Sequence, residues 1–195
     1  MDEELGLMEK NYFEFHGIDH RDKLPSLCPA AARVCEVGVL SGVHLANLAT
    51  GAGVCFGVDM WRDDGSPGVN DAHRDLDVCY LQAREVQERR GNVVLLRMSS
   101  QEAVECFPDY FFDLVYIDAN HVYEHARADV EAWWHKVRRG GVLSGHDYLE
   151  YDINGVRFGT KRAVDEFAES RSLSVHSTSE EFPSWMVRRP ICSSR

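Results

Sequence analysis

Two polar clusters hold the residues best suited to chemistry: Asp118, Asn120 and His121 in YIDANHVYE, and His146, Asp147 and Tyr148 in GGVLSGHDY. Carboxylates beside imidazoles can hold a divalent cation, and an imidazole with an unperturbed pKa of about 6.5 can take a proton near neutral pH. Each cluster follows a short apolar run, Leu114 to Ile117 and Val142-Leu143, flanked by glycine or acidic residues as buried parallel strands are. Between them the spacing predicts an amphipathic helix. Ala126, Val130, Trp133, Trp134 and Val137 share one face, while Glu124, Arg127, Asp129, Glu131 and Lys136 fall largely elsewhere. Asn120 is placed to cap its first turn, Glu124 sits near its positive end, Lys136, Arg138 and Arg139 crowd the other end, and Gly140-Gly141 should stop it. A strand, a crossover helix and a parallel strand put two strand ends side by side, at the edge where open α/β sheets bind ligands. The two clusters should therefore meet.

The elements that position them begin with a strand over Arg33 to Val37 that runs into Glu36-Val37-Gly38-Val39-Leu40-Ser41-Gly42. Glycines at such a turn let the backbone approach a ligand, and the helix that follows, with Leu45, Leu48 and Ala49 on one face and Gly51 at its end, offers free N–H groups beside it. A second strand, Val54 to Val58, ends in Asp59, about twenty residues past the turn, where an acid can accept both hydroxyls of a ribose. GxGxxG does not fit, since only Gly38 and Gly42 are present, and a nucleoside without a pyrophosphate suits the turn better. After a polar loop from Trp61 to Asp77 come a helix ending at Gly91-Asn92 and a third strand, Val93 to Met98. That strand opens into Ser99-Ser100-Gln101-Glu102, which also matches a capping box. Trp61 either walls a base pocket or packs the loop. Tyr151 to Thr160 reads as a loop, and Ala163, Val164, Phe167 and Ala168 mark one more helix. Leu173 to Thr178 and Trp185 to Arg188 read as a terminal β pair. Leu5, Met8 and Tyr12 give a short helix within residues 2–15 that packs on the domain or covers a ligand, with a linker marked by Pro25 and Pro29.

The 195 residues suit one α/β domain, residues 1–195, with 1–30 as N-terminal helix, linker and candidate lid. A formal charge of −11 disfavours nucleic acid or an anionic membrane as main partner, since both reward clustered Lys and Arg. Six scattered cysteines with no CxxC read as reduced and structural. The acidic start MDEELG lacks a signal peptide, no apolar run approaches the ~20 residues of a membrane span, and a cytoplasmic protein is expected. A homodimer is left open.

EVGVLSG, Asp59, SSQE, YIDANHVYE and GGVLSGHDY, taken in this order from Arg33 to Tyr148, resemble class I S-adenosylmethionine-dependent methyltransferases. The resemblance implies a Rossmann-like, doubly wound, mostly parallel seven-stranded α/β sheet with an antiparallel C-terminal hairpin. It implies that Glu36, Gly38 and Gly42 border the methionine part of the cofactor, that Asp59 holds the ribose, and that Trp61, Ser100 and Gln101 lie near the adenine. Asp118 could touch the cofactor's amino group. Within that family the chain is most similar to small metal-dependent O-methyltransferases of the catechol and sugar- or antibiotic-tailoring kinds. This implies a Mg²⁺ at Asp118, His146 and Asp147, and a basic residue near the accepting hydroxyl at His121. Those enzymes usually have Asp-Asp or Asp-Asn where this chain has His146-Asp147, and an imidazole ligand suits Mn²⁺, Fe²⁺ or Zn²⁺ better than Mg²⁺.

The expected reaction is methyl transfer to a small-molecule hydroxyl, with catalytic roles for His121, Asp118 and His146, either metal-assisted or with a histidine as sole base. Two rivals stand beside it: a cofactor-binding protein without turnover, and a hydroxylase-like or hydrolytic metal enzyme on the same scaffold. His44, His73 and His176 have no partner the sequence names, and His125 and His135 read as surface residues.

Overall fold

The computed structural model describes residues 15, 17–63, 65–66, 75–153 and 155–191, so the helix expected within residues 2–15 and much of the Trp61 to Asp77 loop lie outside the described residues. Five strands follow the apolar runs: β1 Ala32–Val37, β2 Ala52–Asp59, β3 Val93–Arg97, β4 Phe112–Ile117 and β5 Val137–Gly145. Three short helices or turns of helix separate the first four: α1 Val43–Leu48, α2 Leu76–Arg90 and α3 Ser100–Glu105. Then come α4 Tyr123–Lys136, a hairpin of β6 Tyr151–Ile153 and β7 Val156–Phe158, and α5 Thr160–Glu169, before β8 His176–Ser177 and β9 Trp185–Arg188.

The main sheet has seven strands in the order β3-β2-β1-β4-β5-β9-β8. β1 to β5 pair in parallel, while β9 runs antiparallel to both β5 and β8. This is the Rossmann-like, doubly wound sheet with a reversed terminal hairpin that the sequence predicts. Period-two alternation builds a core on each face. Val34, Leu114, Tyr116, Val142 and Met186 face the side covered by α1 and α2, and Cys35, Val115, Ile117, Leu143 and Val187 face the other. On that second side Val130, Trp133 and Trp134 of α4 join Phe167 of α5.

Four local expectations are corrected. The helix before β5 stops at Lys136 without a glycine, and the chain passes straight into the strand. Gly140, at φ +74°, lies inside β5, near where the β4–β5 register shifts between Phe112 and Leu114. Asn120 does not cap the first turn of α4: its Oδ1 accepts from the N–H of Val122, the residue just before the helix. The linker around Pro25 is a 3₁₀ segment, Arg21–Leu27, whose Leu24 is fully buried. Tyr151 to Thr160 is the β6–β7 hairpin and the residues entering α5, where the sequence suggests only a loop. Its three-residue strands are too short to show an alternation.

No disulfide joins the described residues, and burial pushes the thiols of Cys35 and Cys55 well above the ordinary range. Among the described residues no helix is long and apolar enough to cross a membrane.

Candidate active site

β1 and β4 are neighbours whose crossovers leave in opposite directions, so a crevice opens where their C-terminal ends part. At its floor the Asp118 N–H bonds the Val37 carbonyl at 2.7 Å and the Gly38 N–H bonds the Val58 carbonyl at 2.8 Å. Gly38 sits at φ +89°, and a Cβ there would lie 2.0 Å from the Asp118 carbonyl oxygen. Only glycine lets the two strand ends approach this closely. The crevice widens into a cleft of about 630 Å³ whose lining includes Glu36, Gly38, Asp59, Ser100, Gln101, Asp118 and His121. Seven of the predicted site residues thus converge.

Asp59 fixes the turn as well as facing the cleft. Its Oδ2 accepts from the N–H groups of Val39 and Leu40, each at 2.9 Å, and its Oδ1 from Trp61 N–H at 2.8 Å. These bonds hold Leu40 at φ +51° and Trp61 at φ +45°, in the left-handed region that non-glycine residues rarely enter. Trp61 itself lies behind the turn and outside the cleft lining. It is 2% exposed, its Nε1 donates to the Leu40 carbonyl at 2.7 Å, and its ring meets Tyr80. Gly42, at φ +81° before α1, likewise packs on Ala83. A carboxylate offers about four acceptor sites, so three backbone bonds leave room for a ligand hydroxyl. Asp59→Ala is expected to lower stability by about 2–4 kcal/mol through the orphaned N–H groups, seen as a lower urea midpoint. Asp59→Asn, which keeps one acceptor oxygen, should lose less, and unchanged midpoints in both would mean that the Trp61–Leu40 bond alone holds the turn.

Glu36 points to the α1 side and is 1% exposed. Its Oε1 meets His44 Nδ1 at 2.8 Å, and the His44 ring lies against Tyr116. Burial raises the Glu36 pKa above the ordinary carboxylate range, against the pull of His44. Its Oε2 is buried with no hydrogen-bond partner among the described residues. His44, to which the sequence assigns no partner, is the residue that anchors Glu36.

Ser99 and Glu102 form the expected capping box of α3. Ser100 Oγ donates to Asp129 Oδ1 at 2.5 Å, Gln101 Nε2 donates to the same oxygen at 3.0 Å, and Trp133 Nε1 donates to Ser100 Oγ. Asp129 is therefore not on a solvated face. It is 5% exposed on α4, and burial raises its pKa against both hydrogen bonds. The helical period places it near the edge of the apolar stripe, and its only sequence signal is an acid one residue before Val130.

The second polar cluster meets the first. His121 Nε2 lies 3.6 Å from Asp118 Oδ1 and 3.3 Å from Asp147 Oδ2, while His146 Nδ1 lies 3.0 Å from Asp147 Oδ1 and 3.7 Å from Asp118 Oδ1. Gly159 N–H bonds the His121 carbonyl, and the edge of Phe158 meets the His121 ring. Tyr151 Oη donates to Asp147 Oδ2 at 2.8 Å. Burial disfavours the His146 imidazolium, but the bond to Asp147 and the nearby Asp118 outweigh it and hold its pKa above the ordinary value. Burial likewise opposes the Asp147 carboxylate, yet His146, His121 and Tyr151 keep its pKa below the usual range. His146 and Asp147 flank this centre from outside the cleft lining.

Sequence reasoning missed Arg21. It enters the cleft from the 3₁₀ segment, with Nη1 3.7 Å from Asp118 Oδ2.

A family model described as a methyltransferase domain matches residues 35–148. No curated protein matches in sequence. Among solved structures, an O-methyltransferase family protein from Burkholderia thailandensis superposes with a TM-score of 0.61 at 13% identity, over 93% of this chain and 63% of that one. This chain thus spans less than two thirds of that protein's length. An rRNA methylase from Streptococcus thermophilus gives a TM-score of 0.60 at 13% identity, over 87% and 93% of the two chains. An N-methyltransferase from Bradyrhizobium japonicum, solved with S-adenosyl-L-homocysteine, gives 0.60 at 15% identity, over 87% and 83%. At these identities the likeness is one of fold, and the three differ in the acceptor their names give.

Proposed function

The chain belongs to the methyltransferase-domain family, and we propose that it transfers the methyl group of S-adenosylmethionine to the hydroxyl oxygen of a small molecule, with His121 as general base. The observation that carries this reading is one of placement. An imidazole held between Asp118 and Asp147 opens on the same cleft as the glycine turn and the buried Glu36 carboxylate.

The residues present fit that cofactor. Glu36 Oε2 lacks a donor, which an ammonium group supplies, and the absence of a side chain at Gly38 leaves backbone free to border the ligand. Asp59 keeps acceptor capacity for ribose hydroxyls at the end of β2. Ser100 and Gln101 are oriented by Asp129 at the end of β3, where the adenine would lie.

When bound, the sulfonium supplies an electrophilic methyl carbon for in-line displacement. The chain's part is alignment and proton removal, and alignment alone can contribute several kcal/mol. With Nε2 turned to the two carboxylates, the acceptor's hydroxyl proton passes to the other ring nitrogen of His121, Nδ1, as the oxygen takes the methyl group and the sulfur keeps the electron pair of the broken bond. Asp118 and Asp147 stabilise the resulting imidazolium, and Phe158 fixes the ring.

The proposed transfer runs without a divalent cation at Asp118, His146 and Asp147. The Asp147 oxygens are taken by His146, His121 and Tyr151, while Asp118 stands 3.6–3.7 Å from Arg21 and both histidines. Among the described residues no three His, Cys, Asp or Glu side chains are arranged to hold a metal ion. No metal step enters the proposed transfer. The net charge of −11 favours a small acceptor over RNA.

Calorimetry with S-adenosylhomocysteine is expected to show micromolar one-to-one binding, unchanged by Mg²⁺. No binding in any metal condition would refute the reading. Formation of S-adenosylhomocysteine from S-adenosylmethionine with a panel of phenols and sugars then separates an enzyme from a cofactor-binding protein without turnover.

A further inference from the structure

Arg21 is delivered into the cleft by an anchor that serves no other evident purpose. Glu180, in the turn between β8 and β9, gathers four groups on one carboxylate. Its Oε1 accepts from the Arg21 backbone N–H at 3.3 Å, from Thr178 Oγ1 at 2.9 Å and from Ser184 Oγ at 3.1 Å, and its Oε2 meets His20 Nε2 at 3.0 Å. The Ser179 N–H adds a bond to the Asp19 carbonyl at 3.1 Å. The chain from Asp19 to Arg21 is thus tied to the β8–β9 turn, and the Arg21 side chain reaches the Tyr116 hydroxyl and Asp118.

That guanidinium still has donors to give. Its Nη1 stands 3.7 Å from Asp118 Oδ2, beyond hydrogen-bond reach, and among the described residues no carboxylate grips its planar fork. Across the same end of the cleft lies the opposite deficiency. Glu36 pairs with Tyr116 in the β1–β4 register, so its side chain emerges on the face that Arg21 covers, and its buried Oε2 accepts nothing from the described residues. An under-used guanidinium facing an under-used carboxylate is complementary to a zwitterion, one whose carboxylate takes the arginine fork and whose ammonium takes the buried acid.

We propose that Arg21 is the counter-ion for the α-carboxylate of the bound methyl donor, with Glu36 receiving its ammonium, so that the Glu180-anchored N-terminal segment is part of the donor site. This rests on the methyltransferase reading above and adds to it a residue outside the matched family region of 35–148. It also gives the segment a function beyond packing: the donor's amino-acid end is enclosed between Arg21 and Glu36.

The test compares S-adenosylhomocysteine with its decarboxylated analogue, S-adenosyl-3-thiopropylamine, by calorimetry on the full chain. Wild-type protein should favour the carboxylate-bearing ligand by about tenfold or more, the scale of one charge-assisted bidentate contact. Arg21→Met should bring the ratio of the two affinities close to one by weakening only S-adenosylhomocysteine, and Arg21→Lys should keep part of the preference. A wild-type ratio near one overturns the assignment without any variant, which covers the case of a substitution that fails to fold. A ratio unchanged in Arg21→Met, with both ligands weakened equally, also overturns it and leaves Arg21 a role in shaping the cleft. Wild-type protein that binds neither ligand refutes the methyltransferase reading and the Arg21 assignment together, whereas binding with no carboxylate preference refutes the assignment alone.

Discussion

Gly38→Ala is expected to abolish measurable S-adenosylhomocysteine binding and to destabilise the fold by roughly 2–4 kcal/mol, the combined scale of backbone strain and overpacking. The new Cβ would lie 2.0 Å from the Asp118 carbonyl oxygen, 2.4 Å from its carbonyl carbon and 2.7 Å from the Ala119 nitrogen. All three are backbone atoms at the end of β4, so no side-chain rotation relieves the clash, and the residue also sits at φ +89°. Either the turn rises from the sheet or the end of β4 moves away. Both separate the glycine turn from the Asp118–His121 centre. Gly91→Ala is the matched control, since Gly91 also has a positive φ, +71°, with nothing within 4 Å of an added Cβ. It should cost only about 1 kcal/mol of strain and leave ligand affinity intact. Urea unfolding and calorimetry on the pair check this, and equal losses in the two variants would mean that the close approach at Gly38 carries no weight.

His121→Ala is expected to lower kcat on a true acceptor by about 10²–10⁴, the range for removing a positioned general base. Affinity for S-adenosylhomocysteine should stay within about twofold, because the imidazole faces Asp118 and Asp147, away from the Glu36 and Arg21 proposed to hold the donor. His146→Ala is the informative contrast. Its ring braces Asp147 from outside the cleft lining, so its loss should reduce turnover by a smaller factor while shifting the pH profile of the reaction. Full turnover by His121→Ala across the pH range would transfer the role of base to another group. Equal losses in the two variants would mean that the four charged residues act as one unit.

The framework was legible in the sequence because β1, β2 and β4 are short apolar runs that end in or lead into a glycine or an acid. Asp59 and Asp118 could be placed at strand ends from that pattern, whereas Glu36 gained its role only through the family resemblance. What escaped was set by partners distant in the chain. Asp129 is buried because Ser100 and Gln101, 29 and 28 residues earlier, reach it, and no local period reveals that. Arg21 enters the cleft because Glu180, 159 residues away, fixes its backbone. Gly140-Gly141 looked like a helix stop because glycine is as common after helices as at irregular points in strands, and here the strand claimed it. The side-chain network around His121 and His146 could be listed from sequence but not oriented, since the contacts that orient it come from β6, β7 and the turn after β5.

The β6–β7 hairpin leaves the main sheet after β5 and rejoins it through α5, bonded to the rest by the Val122–Phe158 bridge, the Gly159–His121 bond and the Tyr151–Asp147 bond. Between those fixed points, Asp152, Val156 and Arg157 hold no part of the main sheet. In engineering terms the hairpin is a cassette. Its tip can be lengthened, shortened or exchanged, provided that Tyr151, Phe158 and Gly159 are retained as the fittings that keep His121 and Asp147 in register.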